Sequence, residues 1–197
     1  TILSQNMMAY LNSFTLLCLP GFMLVGRLMN TCGVTDRLFN LSLALVGRFR
    51  GGMAYANCVA SAMFASMSGS AIADAGGLGL VEMKMMKQAG YDPAFSAGVT
   101  AASSIIGPII PPSAAMVLLG AISQISVASM FFGGVIPGVL LCSALCFQVF
   151  LIAHFTKKGK AMPCSPIPAR QALMTIPKAF PALLTFIIIL GSILTGI

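Results

Sequence analysis

The chain consists of apolar runs separated by short polar or glycine-rich breaks. Residues 13–30 form the first run, and it is just long enough to cross a bilayer core, which takes about 20 residues. Apolar positions then recur at helical spacing, with arginines at both ends of the segment. The pattern predicts a transmembrane segment within residues 1–34 and an amphipathic helix at the membrane interface over residues 35–50.

Two shorter apolar runs, at 53–67 and 75–88, flank the stretch SGSAIADAGGLG at 68–79. Neither run is long enough to span a bilayer by itself. Basic residues precede and follow the pair, so both ends are expected on the same side of the membrane. Two short helices that meet at a polar tip are tolerated at membrane depth when protein or water surrounds them. The pattern predicts a re-entrant hairpin over residues 51–90, with Asp74 at its tip.

The next segment is uncharged and interrupted. Residues 93–156 contain no Asp, Glu, Lys or Arg, and the stretch GPIIPPS at 107–113 places three prolines and a glycine within it. Proline removes a backbone N–H and clashes with the preceding turn, so a helix cannot continue through this stretch. Residues 91–124 are therefore predicted to form a discontinuous transmembrane helix whose break lies near mid-bilayer.

The basic residues agree with this topology. A transmembrane helix is predicted over residues 125–156, and the basic, proline-rich stretch at 157–172 is typical of a cytoplasmic loop. Residues 173–197 begin a further transmembrane segment. With the hairpin counted as no crossing, every Lys and Arg falls at or near the inner side. The chain ends within this last apolar run, so we expect it to be a fragment of a longer multi-pass protein.

Composition also indicates a membrane protein and excludes other classes. Hydrophobic residues make up 58% of the chain and charged residues 8%, whereas soluble domains carry about 25% charged residues. The net charge of +7 comes from bases that flank apolar runs. These bases form no patch with interleaved aromatic side chains, so nucleic-acid binding is not expected. The six cysteines form no Cys-x-x-Cys pair, and the single histidine lies beside KKGK. No metal centre is therefore predicted from them.

The predicted tip and the predicted break together form the candidate site. A broken helix leaves free carbonyl oxygens, which favour cations, and free N–H groups, which favour anions. An ionisable residue inside a membrane segment is a functional candidate. From the residues alone, Asp74 could instead be the N-cap of the return helix, and Ser103 and Ser104 could simply pack between helices. Ser113 follows the break and is predicted to cap the second half-helix.

Long motifs in the chain resemble one family of membrane proteins. SGSAIADAGGLG, MKQAGYDPAFSAGVTAASSIIGPIIPPS and GGVIPG closely resemble the large membrane subunit of tripartite ATP-independent periplasmic (TRAP) transporters, and LVGRFRGGMAYANCVAS is similar to it as well. The resemblance covers essentially the whole chain. Ala114 and Ala115 depart from it, because they stand where Ile-Pro is expected.

The resemblance implies an all-α polytopic membrane protein with an elevator-type transporter fold. That fold has two inverted repeats, each with a re-entrant helical hairpin and a discontinuous helix, and this chain would hold the first repeat. Residues 1–34 would then belong to the scaffold. Residues 35–50 would be the arm helix that connects the scaffold to the moving domain.

The resemblance also implies a function. Such a subunit works in the bacterial inner membrane with a small membrane subunit and a periplasmic substrate-binding protein. Sodium ions drive the uptake of an organic acid, such as a C4-dicarboxylate or sialic acid, and no other cofactor or enzymatic activity is implied. The sodium ligands would be Ser68, Gly69, Ser70, Asp74, Ser103 and Gly107. The substrate would contact Ser70, Ala73, Ser104, Pro111, Pro112 and Ser113.

Three other classes of protein are alternatives to a transporter. An ion channel also uses re-entrant segments lined by carbonyl groups, and it stays open as the alternative. Saturable, sodium-dependent uptake would distinguish a carrier from a channel. An intramembrane serine protease needs a histidine at mid-depth, whereas His154 lies at a predicted interface. The stretch GGLGLVE lacks the third small residue and the preceding strand of a dinucleotide-binding motif.

Overall fold

The computed structural model describes residues 31–156 continuously, together with residues 20, 21, 24, 28, 184 and 191. The predicted first transmembrane segment, the predicted cytoplasmic loop and the predicted last segment lie essentially outside the described residues. Between residues 31 and 156 the chain forms helices and turns, with no strand. The all-α prediction is therefore confirmed for this part of the chain.

Seven helices follow one another through short connections in residues 31–156. They are α1 (Val34–Val46), α2 (Gly52–Ser68), α3 (Ala71–Gly76), α4 (Leu78–Gln88), α5 (Pro93–Ser104), α6 (Ala114–Ser123) and α7 (Val127–Phe155). The first of them ends earlier than the predicted amphipathic helix over 35–50, because Gly47 begins a turn that leads into α2. It buries Leu38 and Phe39 completely and leaves Arg48 and Arg50 exposed in the turn that follows.

The second helix and the fourth pack against each other as the two arms of a hairpin. The side-chain amide of Asn57, early in α2, approaches the sulfur of Met86, late in α4, at 3.9 Å. The polar tip between the arms is shorter than expected, since only Gly69, Ser70 and Gly77 lie outside a helix. Helical structure resumes at Ala71 instead of residue 75, because the Ser70 hydroxyl accepts a hydrogen bond from the N–H of Ala73 and caps α3.

The break in the next segment is longer than the proline-rich stretch itself. The preceding helix, α5, ends at Ser104, and turns fill residues 105–112. Ser113 caps α6 as expected, since its hydroxyl accepts a hydrogen bond from the N–H of Met116 at 3.4 Å. The same hydroxyl donates to the carbonyl of Pro108 at 2.7 Å. One side chain therefore ties the start of the break to the start of the following helix.

The described core is built around α2, which packs against α1, α4, α5 and α7. Phe39, Phe64, Leu78 and Met86 are essentially fully buried in this core. Because neighbours cover α2 on several sides, its polar residues are buried together with its apolar ones. The polar interior described below depends on this central position.

The last described helix, α7, lies at the edge of this core. It has 29 residues, and among the described residues it is the one helix long and apolar enough to cross a membrane. At 1.5 Å per residue it is about 43 Å long, which exceeds the thickness of a hydrocarbon core. Its exposed face is strongly apolar and includes Phe132, Ile136, Leu140 and Phe147.

The break and α6 pack against a glycine of α7. A methyl group on Gly134 would meet the side chain of Met116 and would lie 2.7 Å from the carbonyl oxygen of Ile109. A methyl group on the neighbouring Gly133 would meet nothing within 4 Å. Only one of these two adjacent positions therefore requires glycine for packing.

We expect Gly134→Ala to lower the free energy of unfolding by about 1–3 kcal/mol, because the added methyl overpacks the contact with the break. Gly133→Ala is the matched control, and it should leave stability unchanged or raise it by up to about 1 kcal/mol through helix propensity. Thermal unfolding of the purified protein measures both. Equal losses in the two variants would contradict this account of the packing.

Candidate functional site

The hairpin tip lies directly against the helix break. A Cβ atom on Gly69 would lie 2.7 Å from the carbonyl oxygen of Pro112 and 3.0 Å from the backbone nitrogen of Ala114. On the other side, a Cβ atom on Gly107 would lie 3.2 Å from backbone atoms of Ser70 and Ala71. At Gly69 only glycine permits such an approach, and at Gly107 a methyl group would make contacts tighter than ordinary van der Waals packing. The two interrupted stretches that the sequence singles out therefore meet in space.

Four helix ends converge at this contact. The carboxyl end of α2 leads into Gly69, whose φ of 56° lies in the left-handed region that favours glycine. The carboxyl end of α5 leads into Gly107, and the amino ends of α3 and α6 begin beside these two glycines. Free carbonyls carry partial negative charge and free N–H groups partial positive charge. The contact therefore offers ligands for a cation and for an anion within one small region.

Asp74 is buried beneath the tip and is not a helix cap. Ser70 caps α3, and Gly77 precedes α4, so the N-cap interpretation of Asp74 is wrong. Its side chain is 1% exposed. Neither carboxylate oxygen has a hydrogen-bond partner among the described residues. A buried carboxylate without a partner is unfavourable unless another group compensates its charge.

A second acid, Glu82, lies in the same interior. The candidate site predicted from the sequence does not include it. In the structure its side chain is 0% exposed, and both of its oxygens lack a hydrogen-bond partner in the described part of the chain. Its carboxylate lies close enough to Asp74 for the two charges to interact. The spacing of Leu78, Glu82 and Met86, which forms one buried helical face, could have revealed it.

A chain of polar side chains links α2 to α5 beside these acids. The amide of Asn57 donates to the hydroxyl of Thr100 at 2.7 Å. Its carbonyl oxygen accepts from the hydroxyl of Ser103, also at 2.7 Å. The hydroxyl of Ser61 donates to that of Ser103 at 3.1 Å, and Ser61 also lies close to the carboxylate of Asp74. The network therefore extends from α5 through α2 to the buried acid.

Sequence reasoning missed three members of this network, namely Asn57, Ser61 and Thr100. All three are nearly or completely buried. The i, i+4 spacing of Asn57 and Ser61 on one helical face was a usable signal. The partners, however, lie 42 to 46 residues further along the chain, and no local pattern specifies them.

The structure places the predicted sodium ligands in two groups. Ser68, Gly69 and Ser70 lie at the tip and Gly107 lies against it, and the buried hydroxyl of Ser68 has no hydrogen-bond partner among the described residues. The hydroxyl of Ser103 points instead into the network with α2, below the tip. Asp74 connects the two groups, because it follows the tip in sequence and lies near Ser61.

The predicted substrate ligands also differ in their surroundings. Pro111, Pro112 and Ser113 are buried at the contact between tip and break. The hydroxyl of Ser104 donates to the carbonyl of Ala101 within its own helix, at 2.9 Å. Ala73 is exposed on the surface of the tip beside Ile72, which is 86% exposed.

Acidic and basic side chains differ in their exposure to the surface in the described part of the chain. The basic residues between 31 and 156 all have exposed side chains, and they are Arg37, Arg48, Arg50, Lys84 and Lys87. Asp74 and Glu82 are fully buried, whereas Asp36 and Asp92 are exposed. The two buried carboxylates therefore have no basic counterpart buried with them in this part of the chain.

A cavity of about 250 Å³ lies between α2, α5 and α7. Most of its lining is apolar and includes Phe95, Val99 and Leu145, with Gln148 as a polar member. None of the predicted sodium or substrate ligands lines it. The cavity is therefore separate from the candidate site at the tip.

Comparison with known families decides what kind of protein carries this arrangement. The family model described as "Tripartite ATP-independent periplasmic transporter, DctM component" matches residues 1–197. The chain belongs to this family. The family is one of transporter components, in agreement with the resemblance noted from the motifs.

Curated relatives agree with the family match. The chain is 44% identical over 193 residues to the sialic acid TRAP transporter large permease protein SiaM of Vibrio cholerae, covering 98% of this chain and 44% of the relative. It is 45% identical over 195 residues to the sialic acid TRAP transporter permease protein SiaT of Haemophilus influenzae, covering 98% of this chain and 31% of the relative.

A third relative is named for another substrate. The C4-dicarboxylate TRAP transporter large permease protein DctM of Pseudomonas aeruginosa is 39% identical over 183 residues, covering 93% of this chain and 42% of the relative. The chain thus spans less than half the length of each of these permeases.

The polar network should behave as one unit in this DctM-family chain. We expect Asn57→Ala and Ser103→Ala each to destabilise the protein, with a coupling energy of about 0.5–3 kcal/mol in the double variant, because both changes break the same buried bond. Thermal unfolding of the purified single and double variants measures the cycle.

Ser143→Ala is the matched control for this cycle. The hydroxyl of Ser143 is exposed and donates to the carbonyl of Val139 in the preceding turn. Its loss should change stability by no more than about 0.5 kcal/mol. Strictly additive effects of Asn57→Ala and Ser103→Ala would show that the network contributes no coupling.

Proposed function

We propose that this chain is part of the large permease subunit of a sodium-coupled TRAP transporter that imports an organic acid. The observation that carries the proposal is the contact between the hairpin tip and the helix break, with a buried carboxylate beneath it. Family membership supports the transport function. Relatives named for sialic acid and for C4-dicarboxylates support an organic acid as the substrate.

The donor set at the tip fits a sodium ion. Sodium is a hard cation, and hard cations prefer oxygen ligands. The hydroxyl of Ser68 and both oxygens of Asp74 are buried without partners among the described residues. The backbone at Gly69, Ser70 and Gly107 would complete the set of oxygens. Ser103 would act through Ser61, which lies between it and Asp74.

An organic acid would bind on the anion-favouring side of the same contact. The amino end of α6 offers free N–H groups, and Ser113 caps it. Pro111 and Pro112 precede that helix end. The substrate would therefore reach this end of α6 beside Ser70, Ala73 and Ser104, while sodium holds the tip against the break.

The arrangement supports an elevator mechanism in the bacterial inner membrane. Residues 51–90 would form a re-entrant hairpin, residues 91–124 a discontinuous helix, and residues 125–156 a membrane crossing through α7. Residues 35–50 would be the arm helix that joins the moving hairpin to the scaffold. A channel has no specific observation in its favour, because the family is one of transporter permeases.

The proposed transporter needs two further components. As the large subunit of a tripartite system, it would assemble with a small membrane subunit, and a periplasmic binding protein would deliver the organic acid. The exposed apolar face of α7 is available for lipid or for the membrane subunits. The missing half of the permease would supply the second repeat of the site.

Asp74→Asn tests the sodium coupling. In the complete transporter, reconstituted with its membrane partner and binding protein, we expect uptake of labelled sialic acid and C4-dicarboxylates to rise with sodium concentration. The amide should weaken this dependence by about tenfold or more, because it removes a formal charge opposite the cation, and 1.4 kcal/mol already corresponds to tenfold.

Asp36→Asn is the matched control, because it makes the same change at an exposed carboxylate in the first turn of α1. It should leave the sodium dependence unchanged. Sodium dependence that persists in Asp74→Asn would remove this carboxylate from the coupling site. Wild-type uptake that is indifferent to sodium would overturn the proposed function itself.

Gly69→Ala tests the contact between tip and break. The variant would place a methyl group 2.7 Å from the carbonyl oxygen of Pro112. It would also add strain of about 1–2 kcal/mol at a left-handed residue. We expect sodium-driven uptake to fall by roughly tenfold or more, since about 1.4 kcal/mol of strain alone corresponds to a factor of ten.

The matched control for this variant is Gly76→Ala, in the same hairpin. A Cβ atom there would meet nothing within 4 Å. Uptake by Gly76→Ala should stay close to that of the wild type, as measured in the same reconstituted assay. If Gly69→Ala transports as well as Gly76→Ala, the close contact is not needed for transport.

A further inference from the structure

Two acidic side chains are buried inside the hairpin, and the contact between tip and break does not explain why both are there. Asp74 and Glu82 are 1% and 0% exposed. All four of their carboxylate oxygens lack hydrogen-bond partners among the described residues. The two side chains interact electrostatically, so they face the same interior region.

The surroundings of the two acids are polar but uncharged. Ser61 of α2 lies close to Asp74 and belongs to the network with Asn57 and Ser103. On the α5 side, a methyl group on Gly79 would lie 2.6 Å from the side chain of Thr100, so α4 approaches α5 closely beside the acids. Basic side chains between residues 31 and 156 are all exposed. No charged partner in this part of the chain compensates the two carboxylates.

Electrostatics makes such a pair unfavourable unless a cation accompanies it. Moving a charge out of water without a partner is costly, and two like charges placed together raise that cost further. Helix packing does not require Glu82 to be charged, because the neighbouring positions on its face, Leu78 and Met86, are apolar and equally buried. A buried carboxyl group can instead bind a proton, but it then donates a hydrogen bond, and Glu82 has no partner among the described residues to accept one. A carboxylate ligand for a cation is the alternative that fits.

We propose that Glu82 is a second carboxylate ligand of the sodium site, and that it shares the bound ion with Asp74 inside the hairpin. This inference rests on the proposed sodium-coupled function and extends its site from the tip into the interface of α2, α4 and α5. Sodium between the two carboxylates removes their mutual repulsion. Binding of the ion is thereby coupled to the packing of the hairpin arms, in addition to the contact between tip and break.

Glu82→Gln tests the inference in the complete permease, purified with its membrane partner. Equilibrium binding of radioactive sodium should be about 10–100-fold weaker in Glu82→Gln, an effect comparable to the loss of metal-site partners in other proteins. The variant should also gain less thermal stability from added sodium than the wild type, because it binds the ion less tightly. Asp36→Asn should match the wild type in both measurements.

Several outcomes would overturn the inference, and they differ from a failure of the proposed function. Wild-type sodium affinity in Glu82→Gln, while the wild-type protein binds sodium, would refute the role of Glu82 alone. Binding of magnesium or calcium in place of sodium at the carboxylates would also refute it. A wild-type permease that binds no sodium would refute the proposed function together with this inference.

A conservative variant decides the question if Glu82→Gln does not fold. Glu82→Asp keeps the charge and shortens the side chain by one methylene group, so it should fold and still bind sodium, with reduced affinity. Unchanged sodium affinity in Glu82→Asp would overturn the inference. A weakened affinity would support it, provided that Asp36→Asn behaves as the wild type.

Discussion

Two backbones come into close contact where the hairpin tip meets the helix break, and this contact organises the candidate site. Gly69 and Gly107 allow it, because a Cβ atom at either position would press on the opposing main chain. The contact brings four helix ends together and thereby concentrates their partial charges. Asp74 lies buried beneath this contact.

Polar side chains are buried in the interior of this molecule. In a protein of the DctM family, the apolar face of α7 is turned outwards and the polar side chains are gathered around α2. Asn57, Ser61 and Ser103 satisfy one another, as buried polar groups must. The two carboxylates beside them are not satisfied within the described residues. This contrast distinguishes structural polar groups from those that we assign to an ion.

The two kinds of polar group cooperate in the proposed mechanism. A hydrogen-bonded network is rigid when all of its members are paired, so it can hold α5 at a fixed position against α2. The unpaired carboxylates of α3 and α4 lie against that fixed wall. Binding of an ion between them would therefore depend on the packing of the hairpin as well as on the position of its tip.

The helical class, the interrupted helices and the family can all be recognised from the amino-acid sequence alone. Run lengths, the prolines at 107–113 and the cap at Ser113 are local features, because they act through neighbouring backbone groups. Packing between distant segments set the contact of the tip with the helix break, the hydrogen bonds of Asn57 and the burial of Glu82. Those features depend on which distant segments pack together, and partners more than 40 residues apart leave no local signal. Glu82, for example, becomes an interior side chain only because α4 packs against α2 and α5.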